Sequence, residues 1–172
     1  MIFIKESKLI VDNQKEFVDC LRRSTFKLQK LFNNNQYTDS YPKYNIFNIS
    51  ATSVLMYELF NELKGLVRAE IGHDKPLWMQ SWVNYQAEDN LLAWHDHDWE
   101  HHGYICIDPK NTKTIFEDFE IENKIGQIYL GEGHKLHKVE AVEPFSGYRI
   151  TIGYDITSKA DQQYTNLGLM PF

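Results

Sequence analysis

Cysteine is scarce. The chain carries 2, Cys20 and Cys106, far apart and without metal-type spacing. That excludes a disulfide framework or a cysteine-based zinc site and fits two buried free thiols in a reducing compartment. Clustered positive charge is also missing. Arg22 and Arg23 form an isolated pair, the formal net charge is −6 and the sequence pI is about 5.6. Binding to a phosphate backbone needs a basic surface, so no nucleic-acid partner is expected. No apolar run approaches the roughly 20 residues of a membrane span, and no membrane partner is expected. The first residues place Lys5, Glu6 and Lys8 where an export signal would be apolar, so the expected location is the cytoplasm. There is no nucleophile elbow, which leaves Ser/His/Asp and Cys/His catalysis without local support. Repeats, low-complexity segments and linkers are absent too.

Aromatic residues are plentiful at 14%, with 10 Tyr, 10 Phe and 4 Trp. Such a composition favours strands and aromatic-lined pockets. The length of 172 residues suits one domain with a sizeable core. Its expected divisions are a helical support region over 1–75, a strand-built core over 76–158 and a tail over 159–172.

A short strand is expected over 2–11. Asp12 then caps a helix over 15–32, with Phe17, Leu21, Leu28 and Leu31 on one stripe and Ser24 as a polar gap. Asn33, Asn34 and Asn35 end it, and 37–48 reads as loop and short extended pieces around Pro42. Ser50 or Thr52 caps a second helix to about 71, with Leu55, Leu59, Leu63 and Leu66 or Val67 on its apolar face. Beyond Pro76 the pattern turns to strands: 77–86, 91–97, 104–107, 112–116, 125–130, 138–142 and 148–156. Turn residues separate them and no helix intervenes, the signature of an all-β sandwich or barrel.

The last strand separates two faces. Ile150, Ile152, Tyr154 and Ile156 point one way, under the helices. Arg149, Thr151, Gly153 and Asp155 point the other way, and a charged inner face implies a cavity or a solvent-facing surface.

The histidines suggest what such a cavity holds. His95 and His97 stand at i, i+2, so in a strand both project to one face with Cα atoms roughly 6.5–7 Å apart. Two such imidazoles, with a third from elsewhere, can grip one metal ion and leave positions open. His134 and His137 compete for the third place. His134 lies in the glycine-flanked turn after Gly131-Glu132-Gly133, whereas His137 opens a strand, which positions a ligand better. His73 is expected at the surface, and His101 and His102 in a turn before Gly103.

The run Trp82-Val83-Asn84-Tyr85 followed by Leu91-Leu92-Ala93-Trp94-His95-Asp96-His97 resembles the first metal-binding segment of Fe(II)/2-oxoglutarate-dependent dioxygenases of the prolyl-hydroxylase-like kind. Gly103-Tyr104-Ile105-Cys106-Ile107, Thr114-Ile115-Phe116 and Gly126-Gln127-Ile128-Tyr129-Leu130 are similar to the strands that follow. His137-Lys138-Val139 and Arg149-Ile150-Thr151-Ile152 resemble the distal histidine and the arginine of that family. The likeness covers about residues 80–156, in order and spacing.

The resemblance implies a mainly β fold with N-terminal helices, a double-stranded β-helix or jelly roll. It implies Fe(II) held by His95 and His137, with 2-oxoglutarate as co-substrate and its far carboxylate on Arg149. Thr151 would add a hydrogen bond, and Tyr85, Tyr104 and Tyr129 would line the pocket. The implied reaction is hydroxylation of a C–H bond with O2, on a peptide side chain or a small metabolite. No catalytic acid or base beyond the metal centre is implied, and Trp82, Trp94, Trp99 and Tyr41 are candidates for the substrate mouth.

One position departs from the family. Where it has His-x-Asp or His-x-Glu, this chain has His97. Three arrangements follow: His97 replaces the carboxylate in a three-His set, Asp96 ligates instead, or His97 leaves the metal. A neutral third imidazole would leave the ion more positive. Two rival readings keep the fold and change the function: a three-His cupin-like dioxygenase without 2-oxoglutarate, and a non-catalytic jelly-roll binding module.

Overall fold

The computed structural model describes residues 2–32, 43–72, 74–159 and 168–172. Nine strands among them form a 6-stranded and a 3-stranded sheet, both antiparallel. The expected turn at Asn33–Asn35, His73 and the mouth candidate Tyr41 lie outside the described residues.

Strand β1, Ile2–Glu6, is shorter than expected, because Ser7 starts a helix instead. Its Oγ accepts from the Ile10 amide at 3.3 Å and opens α1, Lys8–Asp12. Asp12 thus closes one helix rather than capping the next; it pairs with Lys8 in the turn before it. Helix α2, Gln14–Phe32, buries Phe17, Cys20, Leu21 and Leu28. Ser24 and Thr25 sit in the same buried stripe because their hydroxyls donate to the carbonyls of Cys20 and Arg22 within the helix. Leu31, expected on that stripe, is 70% exposed.

The stretch expected as loop over 37–48 contains the start of a short helix, α3, Ile46–Ile49, capped by Asn45. Asn45 is buried yet satisfied: it accepts from the Phe47 amide and the Ser81 hydroxyl and donates to the Met79 carbonyl. Helix α4, Val54–Ile71, is capped by Ser53, not Ser50 or Thr52, through a bond from the Met56 amide. Met56, Leu59, Leu63 and Val67 make its buried face, and Gly72 ends it at φ 71°.

Strands β2 (Trp78–Gln86), β3 (His101–Asp108), β4 (Thr112–Phe116), β5 (Glu120–Glu122), β6 (Gln127–Glu132), β7 (His137–Ala141), β8 (Arg149–Thr157) and β9 (Met170–Pro171) follow. The large sheet runs β1-β6-β3-β8-β2-β9 and the small one β5-β4-β7. Segment 91–97, expected as a strand, keeps a bridge at His95 to His137, a bond from the Val139 amide to the Leu92 carbonyl and one from the His97 amide to the Gly133 carbonyl. It therefore flanks β7 on the small sheet. From β2 to β8 the chain crosses back and forth between the sheets, with only the β4–β5 hairpin staying in the small one, which is the winding of a double-stranded β-helix, the expected jelly roll. The large sheet also draws β1 and β9 from outside the expected core segment 76–158.

Strand β8 is buried on both faces along its whole length. Ile150, Ile152, Tyr154 and Ile156 join the helices in one hydrophobic cluster. Arg149, Thr151 and Gly153 face the space between the sheets. Gly65 lies exposed in the interior of α4, and an added Cβ would meet nothing within 4 Å. Gly65→Ala is therefore expected to stabilise the fold by about 0.5–1 kcal/mol, a rise of roughly 1–4 °C in Tm on thermal unfolding.

Candidate metal centre

The two sheets enclose a cavity of about 330 Å³. Into it project His95 and His97 from segment 91–97, His137 from β7, His102 and Tyr104 from β3, and Arg149 and Thr151 from β8.

Three of these imidazoles converge. One ring nitrogen from each of His95, His97 and His137 lies within 4.8 Å of the others. The hydrogen bonds decide which nitrogens are available. Nδ1 of His95 lies 2.7 Å from the Ala93 carbonyl, Nδ1 of His137 lies 2.9 Å from the Lys135 carbonyl, and Nδ1 of His97 lies 3.2 Å from Oδ2 of Asp155. An acceptor at each Nδ1 places the ring proton there and leaves Nε2 with its lone pair. Nε2 of His97 is buried and has no hydrogen-bond partner. Three Nε2 atoms turned inward, each ring held from behind, is the arrangement a divalent transition metal takes. The donor set fits such a metal.

Backbone contacts set the geometry. His95 and His137 exchange amide-to-carbonyl bonds of 2.9 Å in both directions, so both imidazoles leave the same stretch of sheet edge. The His97 amide donates to the Gly133 carbonyl at 3.1 Å. A Cβ on Gly133 would lie 1.9 Å from the Trp99 carbonyl oxygen, so glycine lets this turn close on the ligand segment. Trp82 stacks on His97 at 5.6 Å between ring centroids. Gly153 makes room for it, since a Cβ there would lie 2.5 Å from the indole.

Sequence reasoning missed a second layer. His102 is no turn residue: it lies in β3, is buried, and stacks on His97 at 3.8 Å. Its Nδ1 is 2.8 Å from Oδ1 of Asp155, so one buried carboxylate serves two imidazoles. His97, His102 and Asp155 form a second group of close donor atoms. The face was legible, since Asp155 shares the inner face of β8 and His102 has the same parity as Tyr104 along β3. Placing 101–102 in a turn hid it.

Arg149 is 2% exposed. Its Nη1 donates to Oε1 of Gln86 at 2.9 Å, and its Nε has no partner. No carboxylate among the described residues pairs with it. Thr151 accepts from Asn84 at 3.2 Å and lines the same wall, as does Tyr104. Tyr85 and Tyr129, expected beside them, do not line the cavity. Tyr85 alternates with Asn84 along β2, so it faces the helices and stacks on Tyr148 at 4.4 Å. Tyr129 packs behind Tyr104 and against Phe116 in an aromatic cluster. Of the mouth candidates, Trp94 is 47% exposed at the rim with Lys138 over its ring, whereas Trp82 is buried beside His97 and Trp99 lies outside the lining. Asp96 is exposed at the rim and joins neither donor group. His134 is exposed, near Glu132, and His101 does not line the cavity.

No family model matches the chain. No curated protein matches it either. A solved structure of a cupin-2 domain containing protein from Shewanella frigidimarina aligns with 44% of this chain and 68% of its own at 22% identity, with a TM-score of 0.33. A likeness that slight assigns neither activity nor ligand here.

Burial governs the titration of the site. It lowers His95, brings His102 down to about 4 and His137 to about 2, with the neighbouring imidazoles adding to the effect. Burial alone would raise Asp155, but the bonds from His102 and His97 hold it below the usual carboxylate range. His102 and His137 are thus neutral well into the acid range. The sign for the metal-free protein follows. His102 takes a proton near 6.5 when unfolded but only near 4 when folded, so the unfolded chain binds more protons between those values. Stability is expected to fall as pH drops from about 6.5 to 4, by on the order of 3 kcal/mol from His102 alone. Urea unfolding midpoints across that range, measured with a chelator present, check it.

Proposed function

We propose that this protein is an Fe(II)- and 2-oxoglutarate-dependent oxygenase that hydroxylates a C–H bond of a peptide side chain or small metabolite. The observation that carries the reading is Arg149. A buried guanidinium whose Nε is free and which has no carboxylate partner among the described residues shares one cavity with a three-His donor set. Burying an uncompensated charge is costly, and an anionic ligand removes the cost.

Nε2 of His95, His97 and His137 would hold the iron. The bound iron, with 2-oxoglutarate and O2, supplies the oxidising power. The chain's own residues bind and orient. Gln86 accepts from Nη1 of Arg149 and steadies the guanidinium, which would pair with the far carboxylate of the co-substrate. Asn84 holds the Thr151 hydroxyl on the same wall, where it would add a second contact. Leu92, Trp94 and Val139 give the rim an apolar character suited to excluding water and taking an aliphatic group. No side chain needs to act as a general acid or base.

The third histidine also fits a dioxygenase that uses O2 without 2-oxoglutarate, and one experiment separates the two. Anaerobic titration of the Fe(II)-loaded protein with 2-oxoglutarate should give a weak visible charge-transfer band, and aerobic turnover should release succinate. Arg149→Lys keeps the charge but loses the fork, and should weaken 2-oxoglutarate about 10-fold or more while leaving Fe(II) binding in place. Unchanged 2-oxoglutarate affinity in that variant, or none in the parent alongside O2 consumption, assigns the protein to the second class. No metal binding at all would leave a binding module.

A further inference from the structure

Asp155 has no place in the reaction as described, yet the metal site is built against it. It is fully buried, and its two oxygens accept from His97 and His102 and from no lysine or arginine among the described residues. A carboxylate sealed in that way costs folding free energy unless the charge has a use or a partner.

Three neutral imidazoles bring no charge to a divalent cation. In the His-x-carboxylate arrangement the metal receives one negative charge directly. Here that charge sits one residue further out, joined to the metal side by a single imidazole: Asp155 Oδ2 to Nδ1 of His97 at 3.2 Å, with Nε2 of the same ring buried and unpartnered across it. His102 occupies the other oxygen at 2.8 Å and stacks on His97 with 11° between ring planes. Trp82 lies parallel to His97 within 23°. The ring is therefore clamped by a charge at its back, a histidine beside it and an indole.

We propose that Asp155 is a positioning residue that supplies the missing negative charge of this three-His centre through His97, and that His102 is the second donor that holds Asp155 in place rather than a fourth ligand. The proposal rests on the metal-centre part of the functional reading and is independent of 2-oxoglutarate. Polarising the Nδ1–H bond makes Nε2 a stronger donor, and the nearby anion favours the higher charge state of a redox metal.

Three quantities test it: Co(II) affinity, followed by quenching of tryptophan fluorescence; the midpoint potential of the bound iron; and the far-ultraviolet dichroism of each variant. Asp155→Asn keeps the size and one acceptor but loses the charge. Co(II) affinity should fall about 10–100-fold and the iron potential should move to more positive values, with dichroism unchanged. His102→Phe keeps the stacking and loses the second donor; it should shift both quantities in the same direction by less. His137→Ala sets the scale for a lost ligand. A parent that binds metal, with Asp155→Asn unchanged in affinity and potential, overturns the proposal alone. A His102→Phe loss as large as that of His137→Ala overturns the outer role of His102. A parent that binds no divalent metal overturns both the proposal and the functional reading. Should Asp155→Asn fail to fold, the His102→Phe potential decides the matter: no positive shift rejects the proposal.

Discussion

Two ionised side chains stand on one face of strand β8, and neither neutralises the other. Arg149 and Asp155 are six residues apart, roughly 20 Å along an extended strand, and both are buried. The opposite face of the strand is closed by isoleucines and helices, so the charges cannot turn outward. Everything in the site answers this constraint. Asp155 is met by two imidazole N–H groups, and Arg149 by one glutamine oxygen and an open cavity. One end of the strand is satisfied from within the protein, and the other faces the cavity. The jelly roll makes such a division possible because it encloses space between sheets instead of filling it.

The legible parts of the sequence were those governed by strict period. Alternation in 149–156 separated the two faces of β8 correctly, and the i, i+2 relation of His95 and His97 survives even though segment 91–97 is no regular strand. His137, not His134, joins the close donor group, because a residue in register with a neighbour is fixed while one in a solvent-facing turn is not. Helix stripes came through apart from their ends: Ser53 caps α4 where Ser50 or Thr52 was expected, and Asp12 closes α1 instead of opening the helix after it, since several polar residues in a row offer equal caps and tertiary packing chooses.

What the sequence concealed was set by long-range register. Nothing local says that His102 lies opposite Asp155, a pairing made only when β3 aligns with β8. A pair of histidines beside a glycine looks like a turn, and it is the start of a strand. Tyr85 and Tyr129 failed for a related reason. Aromatic type suggested a pocket, but phase along the strand turned Tyr85 to the helices, and Tyr129 was taken into a separate aromatic cluster. Composition names the residues able to line a cavity; parity and packing decide which do.

The ligand segment has one further effect. Two donors, His95 and His97, ride on a stretch tied to the small sheet by a few backbone bonds, while His137 belongs to a regular strand. A divalent ion shared among them would also be a cross-link, tying this segment to β7 from the side-chain side as the backbone bonds already do from the main chain. Its pull would reach the rim as well, since Leu92 and Trp94 belong to the same segment as the two donors.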